Sequence, residues 1–504
     1  MKITNAMRSP ALLSFLVVAA IVAAMAVFLI TISPYPAGDD PGYHTSVLKY
    51  LLLDRTVNFK MPFFPQLGQV WGSERFVTPI LLAAFGIITG IRDVFAMTIS
   101  FAAACAALAL IPLYLVMADW LRSRTAAIAG IAFLAFSKFY LANFFEGSFE
   151  QYTGLLFVSW VVYAQYRWIT TCNVRWLVIS LGLTGMLVKT HELGFLIALL
   201  FVVTTSVYAV GQRWGAKWGA IALAGSTVGF GAFFALRPAY FAPNGMQNGI
   251  RQMLSTSEGT QTVALVAIGI GMFVFLIKRF RFELFAYLVI AFMLSQSAYL
   301  GSPFYSFRFN MYFMQGVAML FAVFFHAVIQ LGRRSGNRLI VPSLVVVVWA
   351  LMVVPQILHI RGLGLWVTGQ EKNPLSVILD DDVAMYQWIA HNTPRGSVIA
   401  ATFKWGYYLP AIAERSVVLD TAVGGDSRDA RYQLAGEVGA LYTTKSAVDA
   451  AARAKTLGVQ YVYWGASMVR YKDNYVGYSR AKFIDAKYFK EVHSINEASL
   501  YEVR

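Results

Sequence analysis

Residues 10–33 read PALLSFLVVAAIVAAMAVFLITIS, and residues 38–44, which follow closely, read GDDPGYH. A membrane helix needs about 20 mostly apolar residues. The first run is longer than the core of a signal peptide, and it ends without a small-residue cleavage site. The two stretches therefore predict a retained first span that is followed by carboxylates and an imidazole just outside the membrane.

The composition of the whole chain agrees with a membrane protein. Of its 504 residues 58% are hydrophobic and 13% are charged, whereas an average soluble domain has about 25% charged residues. This balance excludes a water-soluble enzyme and a disordered chain. Residues 1–357 hold 11 of the 26 acidic side chains, and residues 358–504 hold the other 15. We therefore predict a transmembrane domain at 1–357 and a second domain of ordinary soluble composition at 358–504. Cys105 and Cys172 imply no disulfide framework.

About eleven apolar stretches have the length of a membrane helix. They lie at residues 10–33, 94–118, 125–144, 153–171, 176–190, 193–212, 217–236, 262–278, 282–299, 311–332 and 339–357. Lys and Arg collect in cytoplasmic loops, and a cytoplasmic N-terminus makes every short inner loop basic. The inner-loop residues are then Arg122, Arg124, Arg167, Arg175, Arg213, Lys217, Lys278, Arg279, Arg281, Arg333, Arg334 and Arg338. An odd number of spans places the C-terminal domain outside the membrane.

The C-terminal part has the pattern of an α/β domain. We predict helices at Asp381–His391 and Thr444–Leu457 and strands at Ser397–Ala401, Ser416–Leu419 and Val459–Trp464. The fold class is thus a polytopic α-helical membrane protein with a C-terminal extracytoplasmic α/β domain. The loop at 34–93 is too long for a simple connector. Within this loop the apolar stretch Val77–Gly90 is short for a span, so it either lies at the membrane interface or re-enters the membrane.

The acidic residues of the transmembrane domain point to chemistry on the outer side, where nine of the 11 fall. Asp39 and Asp40 are adjacent carboxylates with His44 nearby, and Mg²⁺ and Mn²⁺ prefer carboxylate oxygen. The alternative is a helix N-cap, because Asp before Pro commonly starts a helix. Glu146 and Glu150 lie four residues apart at the end of the third predicted span, where carboxylates are costly unless they are paired or bind a metal. A solvated loop is the alternative there.

Three further segments are candidates. Ser255–Glu258 is a polar outer-loop run with one acid, and alone it is read most simply as a loop. Arg308 is a lone cation among aromatic residues, and its guanidinium suits phosphate oxygens, although an interfacial role is also physical. Lys189–Glu192 lies between two apolar stretches. It either lines a cavity together with the other outer-side candidates or terminates two helices.

In their order along the chain, these motifs resemble those of catalytic oligosaccharyltransferase subunits, members of the GT-C glycosyltransferase superfamily. Asp40-Pro41-Gly42-Tyr43-His44 resembles the first outer-loop motif, Gly147-Ser148-Phe149-Glu150 the second acidic motif, Ser255-Thr256-Ser257-Glu258 the Ser-Val-Ser-Glu loop motif, and Arg308-Phe309-Asn310-Met311-Tyr312 the arginine-bearing segment near the donor. The resemblance covers most of the chain.

The resemblance implies a site and its substrates. Asp40 and Glu150 would bind a divalent metal, Mg²⁺ or Mn²⁺, with His44 or Tyr152 beside the donor. The phosphate of a polyprenyl-linked sugar donor would meet Arg308, and Glu258 would approach the acceptor. Metal neutralisation of a departing phosphate lowers the barrier to glycosyl transfer. The expected partners are this donor, a protein or glycan acceptor and membrane lipid, and no nucleic acid.

One segment departs from the family. Where the family has Trp-Trp-Asp-Tyr-Gly, which reads the Ser or Thr of an acceptor, this chain has Thr402-Phe403-Lys404-Trp405-Gly406-Tyr407. Lys404 reverses the local charge, so transfer to an Asn-x-Ser/Thr acceptor is in doubt, although Lys404 and Trp405 remain candidates for acceptor binding. A monosaccharide transferase acting on a glycan or lipid is a second hypothesis. A transporter or flippase is a third, but such proteins place ionisable groups near the bilayer midplane.

Overall fold

A computed structural model of the chain describes residues 10–31, 40–56, 61–67, 76–137, 140–141, 144, 147–218, 220–221, 224, 281–295, 306–335, 343, 378–402, 406–421, 430–470 and 475–504. The chain divides into two compact units, and the domain division at residue 357 stays a prediction. The first unit combines Met1–Thr31, Ala102–Phe144 and Glu150–Gly364, and the second combines Ile32–Phe101, Phe145–Phe149 and Leu365–Arg504. The long loop after the first span therefore belongs to the same unit as the C-terminal residues.

The described helices up to residue 335 are α1 (Pro10–Thr31), α2 (Asp40–Asp54), α3 (Val77–Thr89), α4 (Val94–Leu108), α5 (Leu110–Leu121), α6 (Arg124–Ala135), α7 (Phe149–Thr171), α8 (Val174–Leu187), α9 (Glu192–Trp214), α10 (Phe282–Ser295) and α11 (Asn310–Ser335). Local sequence explains several of their ends. Asn173 caps α8 by accepting a hydrogen bond from the Arg175 backbone N–H at 3.0 Å. Gly90 and Gly215 end α3 and α9 with φ values of +71° and +91°, which favour glycine.

Four described helical segments are long and apolar enough to cross a membrane. They are Ala11–Thr31, Val94–Leu121, Glu192–Trp214 and Asn310–Arg334. Four more apolar helices have 10 to 17 residues, among them α3 and α6. The predicted spans at 217–236, 262–278 and 339–357 lie wholly or largely outside the described residues, so the count of about eleven stays a prediction.

Two buried glutamines tie the helices of the first unit together. Gln165 of α7 donates to Ser180 of α8 at 2.6 Å and accepts from Thr205 of α9 at 3.1 Å. Gln315 of α11 donates to Ser159 of α7 at 2.8 Å and accepts from Tyr287 of α10 at 2.5 Å. Such side-chain bonds hold membrane helices in a fixed register, because a polar group has no partner in lipid.

The second unit contains a mixed sheet. Its strands are β1 (Val398–Ala401), β2 (Ser416–Leu419), β3 (Tyr461–Trp464), β4 (Phe489–Ile495) and β5 (Ala498–Val503), and its C-terminal helices are α12 (Asp380–Asn392), α13 (Tyr408–Ala413), α14 (Ala430–Thr443), α15 (Ala447–Thr456) and α16 (Ala466–Arg470). The sheet order is β2-β1-β3-β5-β4. The first three strands are parallel to one another, and β5 is antiparallel to both of its neighbours.

The long loop adds to this sheet at its β2 edge. Phe63 forms a parallel bridge with Val417. The backbone N–H of Phe64 donates to the Val417 carbonyl at 2.8 Å, and the Val417 N–H donates to the Pro62 carbonyl at 2.8 Å. Backbone pairing of this kind covers an otherwise open sheet edge. The pairing gives a physical reason for the loop to belong to the second unit, although the two segments are more than 350 residues apart in sequence.

Buried charged groups of the second unit are held by hydrogen bonds. Arg415 donates to the Ala390 carbonyl at 2.9 Å and to the Thr393 hydroxyl at 3.0 Å, which satisfies the C-terminal end of α12. Asp382, in the first turn of α12, accepts hydrogen bonds from the Tyr463 hydroxyl and, at 2.9 Å, from the Ala466 N–H. Burial raises the pKa of the Asp382 carboxyl to about 6.

The raised pKa of Asp382 predicts a pH dependence of stability. An unfolded Asp has a pKa of about 3.9, so the folded chain binds this proton more tightly than the unfolded chain. The contribution of Asp382 to the free energy of unfolding is therefore greatest below about pH 4 and falls as the pH rises through about 6. Asp382→Asn keeps an acceptor oxygen and cannot ionise, so it should flatten this fall in thermal unfolding of the full chain in detergent. Asp380→Asn, at an exposed neighbour, should leave the fall unchanged. An identical pH profile in Asp382→Asn and the parent would contradict the assignment.

Candidate active site

Glu150 lies in the first turn of α7. The chain enters this helix through Gly147, whose φ of +82° favours glycine. The Glu150 side chain is 5% exposed. A carboxylate in the first turn is stabilised by the positive end of the helix dipole. The helix thus places a buried acidic group at its N-terminal end.

The Arg308 segment lies against this same end of α7. Arg308 is part of a 3₁₀ turn, Ser306–Phe309, that leads directly into α11. The side-chain N–H of Gln151 donates to the Arg308 carbonyl at 2.6 Å. The backbones that carry Glu150 and Arg308 are therefore neighbours, although the two motifs lie far apart in the sequence.

The N-terminal end of α9 completes the group. His191 caps α9 by accepting a hydrogen bond from the Gly194 N–H at 3.2 Å. A Cβ at Gly154 of α7 would lie 2.9 Å from the His191 Cβ, and a Cβ at Gly194 would lie 3.2 Å from the Tyr312 hydroxyl. The two glycines allow close packing of α7, α9 and α11 at their N-terminal ends. The Lys189–Glu192 segment is therefore part of this group.

Three converging helix N-termini have a chemical consequence. The positive ends of the three helix dipoles favour an anion, and Arg308 adds a guanidinium. The Gln151 carbonyl oxygen and the Tyr312 hydroxyl are buried without a hydrogen-bond partner in the described part of the chain. We call this arrangement, built by the first turns of α7, α9 and α11 with Arg308, the anion cradle.

Tyr152 has a different environment from the one that its motif suggested. Its hydroxyl donates to the Tyr140 carbonyl at 2.6 Å, and its ring packs edge-on against Phe144. The Tyr140 hydroxyl in turn donates to the Ala106 carbonyl at 2.9 Å. These contacts make Tyr152 part of the helix packing, and a role in donor binding stays a prediction.

The first-loop motif packs within the second unit. Ser46 of α2 donates to the Tyr407 carbonyl at 2.6 Å. A Cβ at Gly42 would lie 2.9 Å from the Tyr407 Cβ and 2.8 Å from the Tyr408 ring, so only glycine fits there. His44 is buried beside the Tyr43 ring. The start of α2 is thus fixed against the residues that follow Lys404 and Trp405 in the sequence.

Several predicted site residues lie outside the description. They are Glu146, Glu258, Lys404 and Trp405, together with the side chain of Asp40. Across the described ranges, no group of three or more His, Cys, Asp or Glu residues could hold a metal ion. The described residues therefore do not support the predicted metal site. Among them, Glu150 belongs to no such group.

Sequence reasoning missed the residues that bring the segments together. Gln151 directly follows the motif Gly147–Glu150, and Tyr312 is the last residue of the motif that begins at Arg308. A polar side chain in an apolar helix is the signal that could have found both. Gly154 and Gly194 have a weaker signal, since glycine within a helix indicates close packing only when the partner helix is known.

The fold is similar to that of an archaeal oligosaccharyltransferase and of ArnT, which confirms the expected GT-C type of fold. No family model and no curated protein matches the chain. The likeness is to solved structures, at identities that show the fold alone.

The first similar structure is the oligosaccharyltransferase of Archaeoglobus fulgidus in the apo form, with a TM-score of 0.59, 13% identity and coverage of 92% of this chain and 70% of that one. The same organism's AglB in complex with an inhibitory peptide and a dolichol-phosphate has a TM-score of 0.58 and 13% identity, covering 88% and 69%. ArnT from Cupriavidus metallidurans bound to undecaprenyl phosphate has a TM-score of 0.58 and 11% identity, covering 97% of both chains.

The close packing at Gly154 predicts a stability change. Gly154→Ala should lower the melting temperature, because its Cβ would meet His191 at 2.9 Å and force α7 and α9 apart. Overpacking of this kind costs about 1–3 kcal/mol. Gly182→Ala in α8 is the matched control, since nothing lies within 4 Å of its Cβ. The control should be neutral or slightly stabilising. Equal melting temperatures for the two variants in detergent would disprove the close approach.

Proposed function

We propose that the chain is an integral-membrane glycosyltransferase that transfers a sugar or oligosaccharide from a polyprenyl phosphate or diphosphate donor to a protein or glycan acceptor at the outer face of the membrane. The anion cradle is the observation that carries the proposal, because a donor phosphate is the anion that such a reaction must hold. The GT-C fold supports it. The neighbours were solved with dolichol-phosphate and with undecaprenyl phosphate.

The cradle suits the leaving group. In glycosyl transfer a nucleophilic atom of the acceptor bonds to the anomeric carbon and loses its proton, while the bond between that carbon and a phosphate oxygen breaks and its electron pair stays on the phosphate. The Arg308 guanidinium and the N-terminal turns of α7, α9 and α11 offer fixed positive charge to this developing anion. Preorganised charge of this kind stabilises a transition state more than mobile water does.

The remaining roles follow from the motif resemblance. By the resemblance, Asp40 and Glu150 would hold a divalent ion, Mg²⁺ or Mn²⁺, which would supply further neutralisation of the leaving phosphate. His44 and Tyr152 contribute to the donor side. Glu258 approaches the acceptor, and Lys404 and Trp405 contact it.

A second candidate is a transferase that uses a polyprenyl monophosphate donor and acts on a glycan or lipid. The match to ArnT extends over 97% of both chains, whereas the oligosaccharyltransferase of Archaeoglobus fulgidus has about 30% of its length outside the match. Lys404 also favours an acceptor other than an Asn-x-Ser/Thr peptide, since a cation replaces the carboxylate of the family motif.

Donor binding can be tested with undecaprenyl phosphate as the probe. Arg308→Gln should weaken its binding to the detergent-solubilised protein at least tenfold in native mass spectrometry, because the charged fork at the cradle is lost. Arg308→Lys should recover part of the affinity. Arg175→Gln removes an exposed arginine at the start of α8 and should bind as the parent does. Unchanged binding by Arg308→Gln would exclude the cradle as the phosphate site.

Transfer can be measured with lipid-linked sugars extracted from the source membranes and with membrane proteins or glycans as acceptors. Asp40→Ala and Glu150→Ala should each lower the rate by about 100-fold or more. Glu283→Gln is the matched control, because Glu283 is also a buried glutamate in the first turn of a helix, α10. Undiminished transfer in both alanine variants would rule out the carboxylate assignment.

A further inference from the structure

Two arginines are held in place near the C-terminal ends of α7 and α9. The Arg167 guanidinium lies over the Trp176 ring of α8, 5.8 Å from its centroid. The Arg213 guanidinium lies over the Trp168 ring of α7 at 5.2 Å and donates to the Trp168 carbonyl at 3.3 Å. Contact with an aromatic face restricts a guanidinium that would otherwise sample many rotamers. The two cations are therefore held beside the same turn of α7.

Neither arginine has an acidic partner among the described residues. Both side chains are half-buried, and neither forms an ion pair with a carboxylate in that part of the chain. The Arg167 Nε is buried there without a hydrogen-bond partner. Residues 151–218 contain one acidic side chain, Glu192, at the opposite end of α9. A half-buried cation without a counter-ion is costly, so the pair favours a bound anion.

The described carboxylates of two neighbouring helices have other surroundings. Asp119, in the last turn of α5, lies beside the Tyr166 hydroxyl. Glu283, in the first turn of α10, is buried within the electrostatic influence of Arg281. The anion that suits Arg167 and Arg213 is therefore one that comes from outside these helices.

The surface around the two arginines indicates the kind of anion. Trp214 and Trp218, which follow Arg213, are 63% and 55% exposed. Tryptophan collects at the headgroup level of membranes. Helix α8, which carries Trp176, exposes the apolar side chains of Val178 and Leu181, at 63% and 53%. A ligand with a negative headgroup and acyl chains fits both features, since its chains can cover α8 while its headgroup meets the arginines.

We propose that Arg167 and Arg213 bind the phosphate of an anionic phospholipid in the leaflet at this end of the helices. Along α7, Arg167 lies about 25 Å from Glu150 at 1.5 Å per residue, so the site is separate from the anion cradle. The inference is independent of the proposed reaction. Basic groups between helices on the cytoplasmic side bind such headgroups, and the basic inner loops place this end on that side. A bound lipid joins α7, α8 and α9 at the ends away from the cradle.

The test measures binding of phosphatidylglycerol to the detergent-solubilised full chain by native mass spectrometry, with zwitterionic phosphatidylcholine for comparison. Arg167→Gln and Arg213→Gln should each weaken phosphatidylglycerol binding about fivefold, which corresponds to about 1 kcal/mol for each basic residue. Binding of phosphatidylcholine should not change. Arg175→Gln is the matched control, because it removes an exposed arginine at the same end of the helices. This control should bind both lipids as the parent does.

Unchanged phosphatidylglycerol binding in both glutamine variants would overturn the proposal. An equal loss for both lipids would show that charge plays no part, and would also overturn it. Full displacement by an excess of glycerol phosphate, which has no acyl chains, would show a free-anion site instead of a lipid site.

Arg213 also bonds to the end of α7, so its variant is accepted only if the melting temperature stays near that of the parent. Arg167→Gln carries the test alone if Arg213→Gln does not fold, because the Arg167 Nε has no partner to lose in the described residues. Arg167→Lys keeps the charge and should recover part of the affinity for phosphatidylglycerol. Binding by Arg167→Lys as weak as that by Arg167→Gln would contradict a role for the charge.

Discussion

A polar side chain inside a membrane helix bundle has to find its partner within the protein, and this constraint fixes the described helices of the first unit. Gln165 and Gln315 each use both the oxygen and the nitrogen of the side-chain amide, and each bonds to two other helices. Removing the Gln315 amide would take the acceptor from the buried Tyr287 hydroxyl, at about 1–3 kcal/mol for an unsatisfied group, whereas Ser159, Ser180 and Thr205 also donate to carbonyls of their own helices. Because three of these four bonds join α7 to another helix, α7 is the element to which the others are registered. Its first turn, with Glu150, is placed by contacts further along its length.

In the anion cradle, some buried polar atoms have no hydrogen-bond partner within the described part of the protein. Gln151 uses its amide nitrogen on the Arg308 carbonyl, while its oxygen and the Tyr312 hydroxyl are buried without a partner in the described residues. Gln165 and Gln315 have hydrogen-bond partners for both side-chain atoms, whereas the unpartnered Gln151 oxygen and Tyr312 hydroxyl contribute nothing to stability. Of the two, only the Tyr312 hydroxyl can donate to a bound anion, because the Gln151 side-chain oxygen is itself an acceptor. The glycine contacts explain how the cradle forms, since Gly154 and Gly194 let three positive helix ends approach each other more closely than side chains would allow.

Several helices and strands could be predicted because local patterns of apolar and polar residues indicate them. The predicted helix at Asp381–His391 lies within α12, and the strands expected at 397–401 and 416–419 contain β1 and β2. The hairpin of β4 and β5 was not predicted, because Lys490, Glu491 and His493 interrupt the apolar alternation that marks a strand. The pairing of Phe63 with Val417 could not be predicted either, since backbone bonds between distant segments leave no periodic signal. The motifs at Glu150, His191 and Arg308 were found separately, but their meeting depends on Gly154, Gly194 and Gln151, whose partners only the folded chain defines.

The contacts of Tyr407 bear on how the departure at Lys404 should be understood. A changed motif can mean that the segment has moved or that its position is kept while its chemistry differs. Tyr407 is held by a hydrogen bond from Ser46 and by the absence of a side chain at Gly42, and its ring meets those of Tyr43 and Phe63. Those partners belong to the first-loop motif and to the segment that pairs with β2, so the end of the altered segment is anchored from two sides. The anchoring fixes Tyr407 at the described end of the altered segment, and the reversed charge at Lys404 is the feature of this segment on which the proposal of an acceptor other than an Asn-x-Ser/Thr peptide rests.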